Sequence, residues 1–130
     1  MELNKMVTLT RHVTERDIKL FAKASQDFNP VHLDNEAAKA GPFGKVIAHG
    51  MLGASLISAA LAKGFPGALY LGQTLSFRKP VFIDDTITAI AMTITAVTKA
   101  NGEIVTLNTR VVNQDGDIVI TGEAMIKLPA

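Results

Sequence analysis

A chain of 130 residues, 48% of them apolar, can bury one hydrophobic core but not two ordinary ones, so a single domain over 1–130 is expected. Lys and Arg total 13 against 12 Asp and Glu, and no window carries a row of like charges able to neutralise phosphates, which argues against a nucleic-acid partner. Cysteine is absent, which excludes disulfides, thiolate nucleophiles and cysteine metal sites.

Aromatic residues make up only 5% of the chain and Trp is absent, so the core must be aliphatic. Met1-Glu2-Leu3-Asn4-Lys5 lacks the charged-then-apolar layout of a secretory leader, which sets a cytoplasmic expectation. The longest apolar run, Met51 to Ala62, is interrupted by Gly53, Ser55 and Ser58 and is well short of the roughly 20 residues that span a bilayer. No membrane partner is expected.

Met6 to Val13 alternates β-branched residues and reads as a first strand at a sheet edge. Thr14-Glu15-Arg16-Asp17 reads as a helix start, with Thr14 accepting from the orphan N–H of Asp17. Ile18, Phe21, Ala22 and Ser25 then share one helical face that ends near Gln26, which places Asp27 just past the helix. Asn29-Pro30 forbids that helix from continuing, so the chain must turn before His32. Asp34 can cap a short helix through Ala40, and Gly41 to Gly44 form a loop.

Lys45 to Ala48 lead, extended, into a helix from His49 to Lys63 whose apolar residues occupy nearly every side, the pattern of a buried helix. Gly64 is expected to stop it in the left-handed conformation. From there the period becomes two. Leu69, Leu71, Leu75, Phe77, Val81 and Ile83 read as the inward face of one strand, with Pro80 at a bend. Thr86 to Thr98 and Glu103 to Val112 read as strands joined by a hairpin at Ala100-Asn101-Gly102. After a turn at Gln114 to Asp117, the last strand is expected to put Ile118, Ile120, Ala124, Ile126 and Leu128 inward, with Val119 opposite.

This order specifies an α+β architecture: an antiparallel five-stranded sheet wrapped around a buried central helix. One curved sheet in so small a chain leaves an edge uncovered, so a homodimer with continuous sheets is expected.

The chemistry concentrates in two places. Asp27-Phe28-Asn29-Pro30-Val31-His32 carries an acid and an imidazole across a turn, and His49-Gly50 opens the central helix, whose first N–H groups are unpaired and positive. Together they can form an acid-base site facing an oxyanion-stabilising dipole. Local alternatives exist for each: Asp before Asn-Pro is commonly an Asx-turn former, and a helical Ser58 commonly bonds back to a carbonyl. Neither a metal nor an organic cofactor is expected. His12, His32 and His49 lack the HxxxH or HxH spacing of ligands, and Gly41 to Gly44 is no phosphate loop.

Ser25-Gln26-Asp27-Phe28-Asn29-Pro30-Val31-His32-Leu33-Asp34 matches an Asp-x-Asn-Pro-x-His core; Ile47-Ala48-His49-Gly50-Met51 and Phe77-Arg78-Lys79-Pro80-Val81 extend the match. In these segments the chain resembles the MaoC-like, or R-specific enoyl-CoA hydratase (hydratase 2), family of hot-dog proteins. Gln26 departs from the glycine the family usually carries before its aspartate, which bears on the local turn.

The resemblance implies a double-hot-dog dimer and reversible addition of water to trans-2-enoyl-CoA, giving (R)-3-hydroxyacyl-CoA, in fatty acid metabolism and polyhydroxyalkanoate biosynthesis. It implies Asp27 and His32 as the catalytic pair and the Gly50 N–H as donor to the thioester carbonyl. Asn29, His49, Met51 and Ser58 are candidate substrate contacts. Dehydration of 3-hydroxyacyl thioesters on acyl carrier protein uses the same groups. A thioesterase fits the Asp-x-Asn-Pro-x-His pattern poorly, and a non-catalytic acyl-thioester-binding protein would not need the acid-base pair. Lys45, Lys63, Arg78 and Lys79 could meet a phosphate arm, though such residues are more often simply solvated.

Overall fold

The computed structural model describes residues 3–129; Met1 and Glu2, where the leader reading begins, and Ala130 lie outside it. The elements run β1 (Met6–His12), α1 (Glu15–Ser25), α2 (Pro30–Leu33), α3 (Asn35–Ala40), α4 (Gly50–Gly64), β2 (Leu69–Gln73), β3 (Ser76–Phe77), β4 (Thr86–Lys99), β5 (Gly102–Val112) and β6 (Ile118–Pro129). All pairings are antiparallel, in the order β1-β4-β5-β6-β2, with β3 also on β6. β1 lies at an edge, as its sequence suggests. Among the described residues no helix is long and apolar enough to cross a membrane.

The sheet wraps around α4 as expected, but it has six strands and not five. The stretch read as one strand from Leu69 onward is broken into β2 and β3, both on β6. The break has a local cause: the register slips between Tyr70 and Gly72, and the Thr74 backbone then crosses so close to Gly122 that no side chain would fit there. Alternation fails with it. Leu69, Leu71 and Phe77 are exposed, while Leu75 packs on the core and Val81 is buried.

The core is aliphatic, as the composition requires. Ile57, Ala60 and Leu61 of α4 belong to one buried cluster with Ile87, Ala89 and Ala91 of β4, Val105, Leu107 and Val111 of β5, and Ala124 and Ile126 of β6. Burying a side chain such as Ile57 or Leu107 contributes about 1.5–3 kcal/mol. Val119 joins this core and Ile118 is exposed, the reverse of the expected alternation. A bulge between Val111 and Val112 inserts an extra residue opposite them, and the Val119 carbonyl accepts from the N–H groups of both Arg78 and Lys79.

Two expectations about α4 need correction. Gly64 is not left-handed; it remains in the helix, and a Cβ there would collide with the Val7 side chain, so packing against β1 requires glycine. Nor is the helix buried all round. Met51, Ser55, Ser58, Ala59 and Ala62 form an open stripe at helical spacing in the single chain.

Candidate active site

The acid-bearing loop is fixed by a run of short-range hydrogen bonds. Gln26, the C-cap of α1, adopts φ 65°, the left-handed conformation that turns the chain out of the helix. Ser25 Oγ donates to the Phe21 carbonyl and accepts from the Asp27 N–H; Asp27 Oδ1 accepts from the Asn29 N–H at 3.2 Å. Asp27 is therefore an Asx-turn former, and its second carboxylate oxygen remains for other partners.

Asn29-Pro30 ends one helix and starts another. Asn29 Oδ1 accepts from the Val31 N–H at 3.1 Å and caps α2, with Pro30 in the first turn. The sequence carried this signal, an Asn cap before a Pro, but only the turn was read from it. On α2, His32 directs Nδ1 to the Ile47 carbonyl at 2.8 Å. A carbonyl only accepts, so Nδ1 carries a proton, and in the neutral ring the lone pair is on Nε2.

The 45–48 stretch that receives this bond is itself pinned on both sides. The Ile47 N–H donates to the Val31 carbonyl and the Ala48 N–H to Val81, while Ile47 bridges Phe82. Next comes His49, 2% exposed, whose Nε2 lies 2.9 Å from the Asp27 carbonyl. Its ring stacks on that of His32 with centroids 4.0 Å apart. One ligating atom from each of Asp27, His32 and His49 lies within 4.8 Å of the others, although no local spacing in the sequence joins the two histidines.

Gly50 begins α4 and is exposed. A Cβ there would stand 2.8 Å from Phe77 Cε1, so glycine is what lets the Phe77 ring cover the helix start. Beside it opens a cavity of about 290 Å³ whose lining includes His32, His49, Gly50, Phe77, Val81 and Ile120. Its wall is mainly apolar and includes both imidazoles and the helix start. This arrangement can hold an apolar chain, present a polar head to a hydrogen-bond donor and carry out proton transfer beside it.

The remaining candidates are not members of this cluster. Met51 and Ser58 sit on the open stripe of α4, and Ser55, not Ser58, makes the back-bond to the helix, to the Leu52 carbonyl. Arg78 and Lys79 reach the cavity, but Lys79 pairs with Asp117 at 3.2 Å and Lys45 lies over the Phe82 ring.

A MaoC like domain model matches residues 3–115. The chain belongs to the MaoC-like family. It is 42% identical over 131 residues to an (R)-specific enoyl-CoA hydratase of Aeromonas caviae, an alignment covering 99% of this chain and 96% of that protein. A mitochondrial 3-hydroxyacyl-acyl-carrier-protein dehydratase of Solanum lycopersicum is 36% identical, with 100% and 79% covered. Among solved structures, an (R)-hydratase of A. caviae involved in PHA biosynthesis superposes with a TM-score of 0.91 at 41% identity, covering 99% of this chain and 98% of that one. The sheet-around-helix architecture is thus the hot-dog fold of the MaoC-like hydratases.

Proposed function

We propose that this MaoC-like chain is an (R)-specific enoyl-CoA hydratase, a hydro-lyase acting as one domain over 1–130. The observation that carries the proposal is the grouping of Asp27, His32 and His49 within 4.8 Å, with His32, His49 and the uncapped start of α4 lining an apolar cavity. Similarity to the A. caviae hydratase supports the substrate.

In this reading a water is held between the Asp27 carboxylate and His32 Nε2. His32 takes a proton from the water as its oxygen bonds to C3 of the enoyl thioester. The electron pair of the double bond moves through C2 onto the thioester oxygen, which the Gly50 N–H stabilises. Asp27 orients the water, receives the proton back from His32 and passes it to C2 as the electron pair returns from the thioester oxygen to form the C2–H bond, so that H and OH add across the double bond. General acid-base groups contribute about 10²–10⁴-fold each, and an oxyanion donor about 10²–10³-fold. Asn29 belongs to the site through the turn it caps.

The working unit is proposed to be a cytoplasmic homodimer. The open α4 stripe and the exposed β2 edge, with Leu69 at 61% exposure, are what a second copy would cover, and substrate contacts from Met51 and Ser58 would then lie at that junction.

A second reading, dehydration of 3-hydroxyacyl thioesters on acyl carrier protein, is favoured by the 36% identity to the tomato dehydratase. Both are tested by supplying the enoyl group on CoA and on carrier protein, following loss of the conjugated thioester and analysing product chirality. Fast turnover of enoyl-CoA to the (R)-3-hydroxy product supports the hydratase, turnover on carrier protein alone supports the second reading, and none on either contradicts both.

A further inference from the structure

His49 breaks two structural rules at once. It occupies the N-cap of α4, where Ser, Thr, Asp or Asn would normally bond the helix N–H groups, and its side chain makes no capping bond. Its Nδ1 is also the one buried side-chain nitrogen or oxygen without a hydrogen-bond partner among the described residues. Both departures cost stability, and the cavity they border suggests what compensates.

The ring turns away from the helix it should cap. Its Nε2–H donates to the Asp27 carbonyl at 2.9 Å, one face lies against His32 with an interplanar angle of 31°, and Phe21 packs on it at 5.0 Å. The chain then continues directly into Gly50. One side chain therefore touches the backbone of the acid and the ring of the base, and its own backbone leads into the oxyanion donor.

We propose that His49 is a positioning residue that locks Asp27, His32 and Gly50 into one rigid unit; the proposal rests on the roles assigned to those three residues under Proposed function. The bond to the Asp27 carbonyl sets where the loop stands, and the stacked ring sets the plane in which His32 Nε2 meets the water. In this role His49 does not itself take a proton from the water. Small misplacements of reacting groups can cost about 10²-fold in rate, so the effect belongs in kcat.

Two measurements test this. The first needs no activity: long-range ¹H–¹⁵N spectra of the full chain labelled with ¹⁵N-histidine should show His49 as the Nε2–H tautomer and His32 as the Nδ1–H tautomer. A His49 that exchanges tautomers or is protonated on Nδ1 alone overturns the proposal. The second compares His49→Phe, which keeps a stacking ring without the donor, with His49→Gln, which keeps a donor. On enoyl-CoA, His49→Phe should lower kcat about 10–100-fold with KM within about threefold, and His49→Gln should recover part of the loss. Unchanged kcat, or a rise in KM alone, overturns positioning. If His49→Phe does not fold, the wild-type spectra decide. Wild-type inactivity on every thioester would remove the hydratase reading, while the spectra still report on the His49 lock.

Discussion

The two long helices begin in opposite ways. At the start of α1, Thr14 Oγ1 accepts from the Asp17 N–H at 3.1 Å and the Asp17 carboxylate accepts from the Thr14 N–H, a reciprocal box reinforced by Arg11. At the start of α4 no side chain caps the helix, its first residue is an exposed glycine, and a cavity opens beside it. The first arrangement satisfies its own donors for stability. The second leaves donors for an external oxygen, which is what a helix N-terminus must do to bind a developing anion.

Substitutions at the two starts should therefore separate cleanly. Gly50→Pro removes the proposed oxyanion N–H while suiting the first helical position, and the preceding residue, at φ −57° and ψ 135°, already has a conformation compatible with Pro. Phe77, 52% exposed, has room to turn aside. Steady-state kinetics should show a loss of about 10²–10³ in kcat with the fold retained. Thr14→Ala should do the opposite, lowering unfolding free energy by about 1 kcal/mol in urea titration and leaving kcat unchanged.

The other end of α1 sharpens the contrast. Gln26 holds φ 65° without being glycine, so Gln26→Gly should raise the urea midpoint, a gain of about 0.5–1 kcal/mol once the added flexibility of the unfolded chain is subtracted. The smallest effect concerns acid. The hydrogen bond from Arg11 is the main cause holding the Asp17 carboxyl below its ordinary range; Thr14 and the Arg11 charge add to this and burial opposes it. A carboxyl lowered in the folded state contributes stability above its unfolded value and loses it as pH falls through the folded value. With the Arg11 side chain 54% exposed, solvent screening keeps the contribution below about 1 kcal/mol. The stability difference between wild type and Asp17→Asn should accordingly shrink in acid.

Much of this was legible in the chain because it depends on local chemistry. The Thr14 cap, the helix end before Asp27, the Asp34 cap on α3, the long β4–β5 hairpin and the Asp27-to-His32 motif each rest on neighbours in sequence. What escaped depends on elements far apart. The Val119 bulge, the division of β2 from β3 and the need for Gly64 against Val7 arise from backbone approach between separate strands or between helix and strand. So does the His49 bond to Asp27, which closes across the loop and two short helices. The all-apolar reading of α4 missed its open stripe because small residues such as Ala59 and Ala62 do not reveal from sequence which face they bury.

The central claim is that Asp27 and His32 share one water, and the most direct test is hydration of crotonyl-CoA by wild type beside Asp27→Asn and His32→Gln variants of verified folding. The account predicts (R)-3-hydroxybutyryl-CoA from the wild type and rates about 10²–10⁴-fold lower for each variant. Equal rates in all three proteins would contradict it.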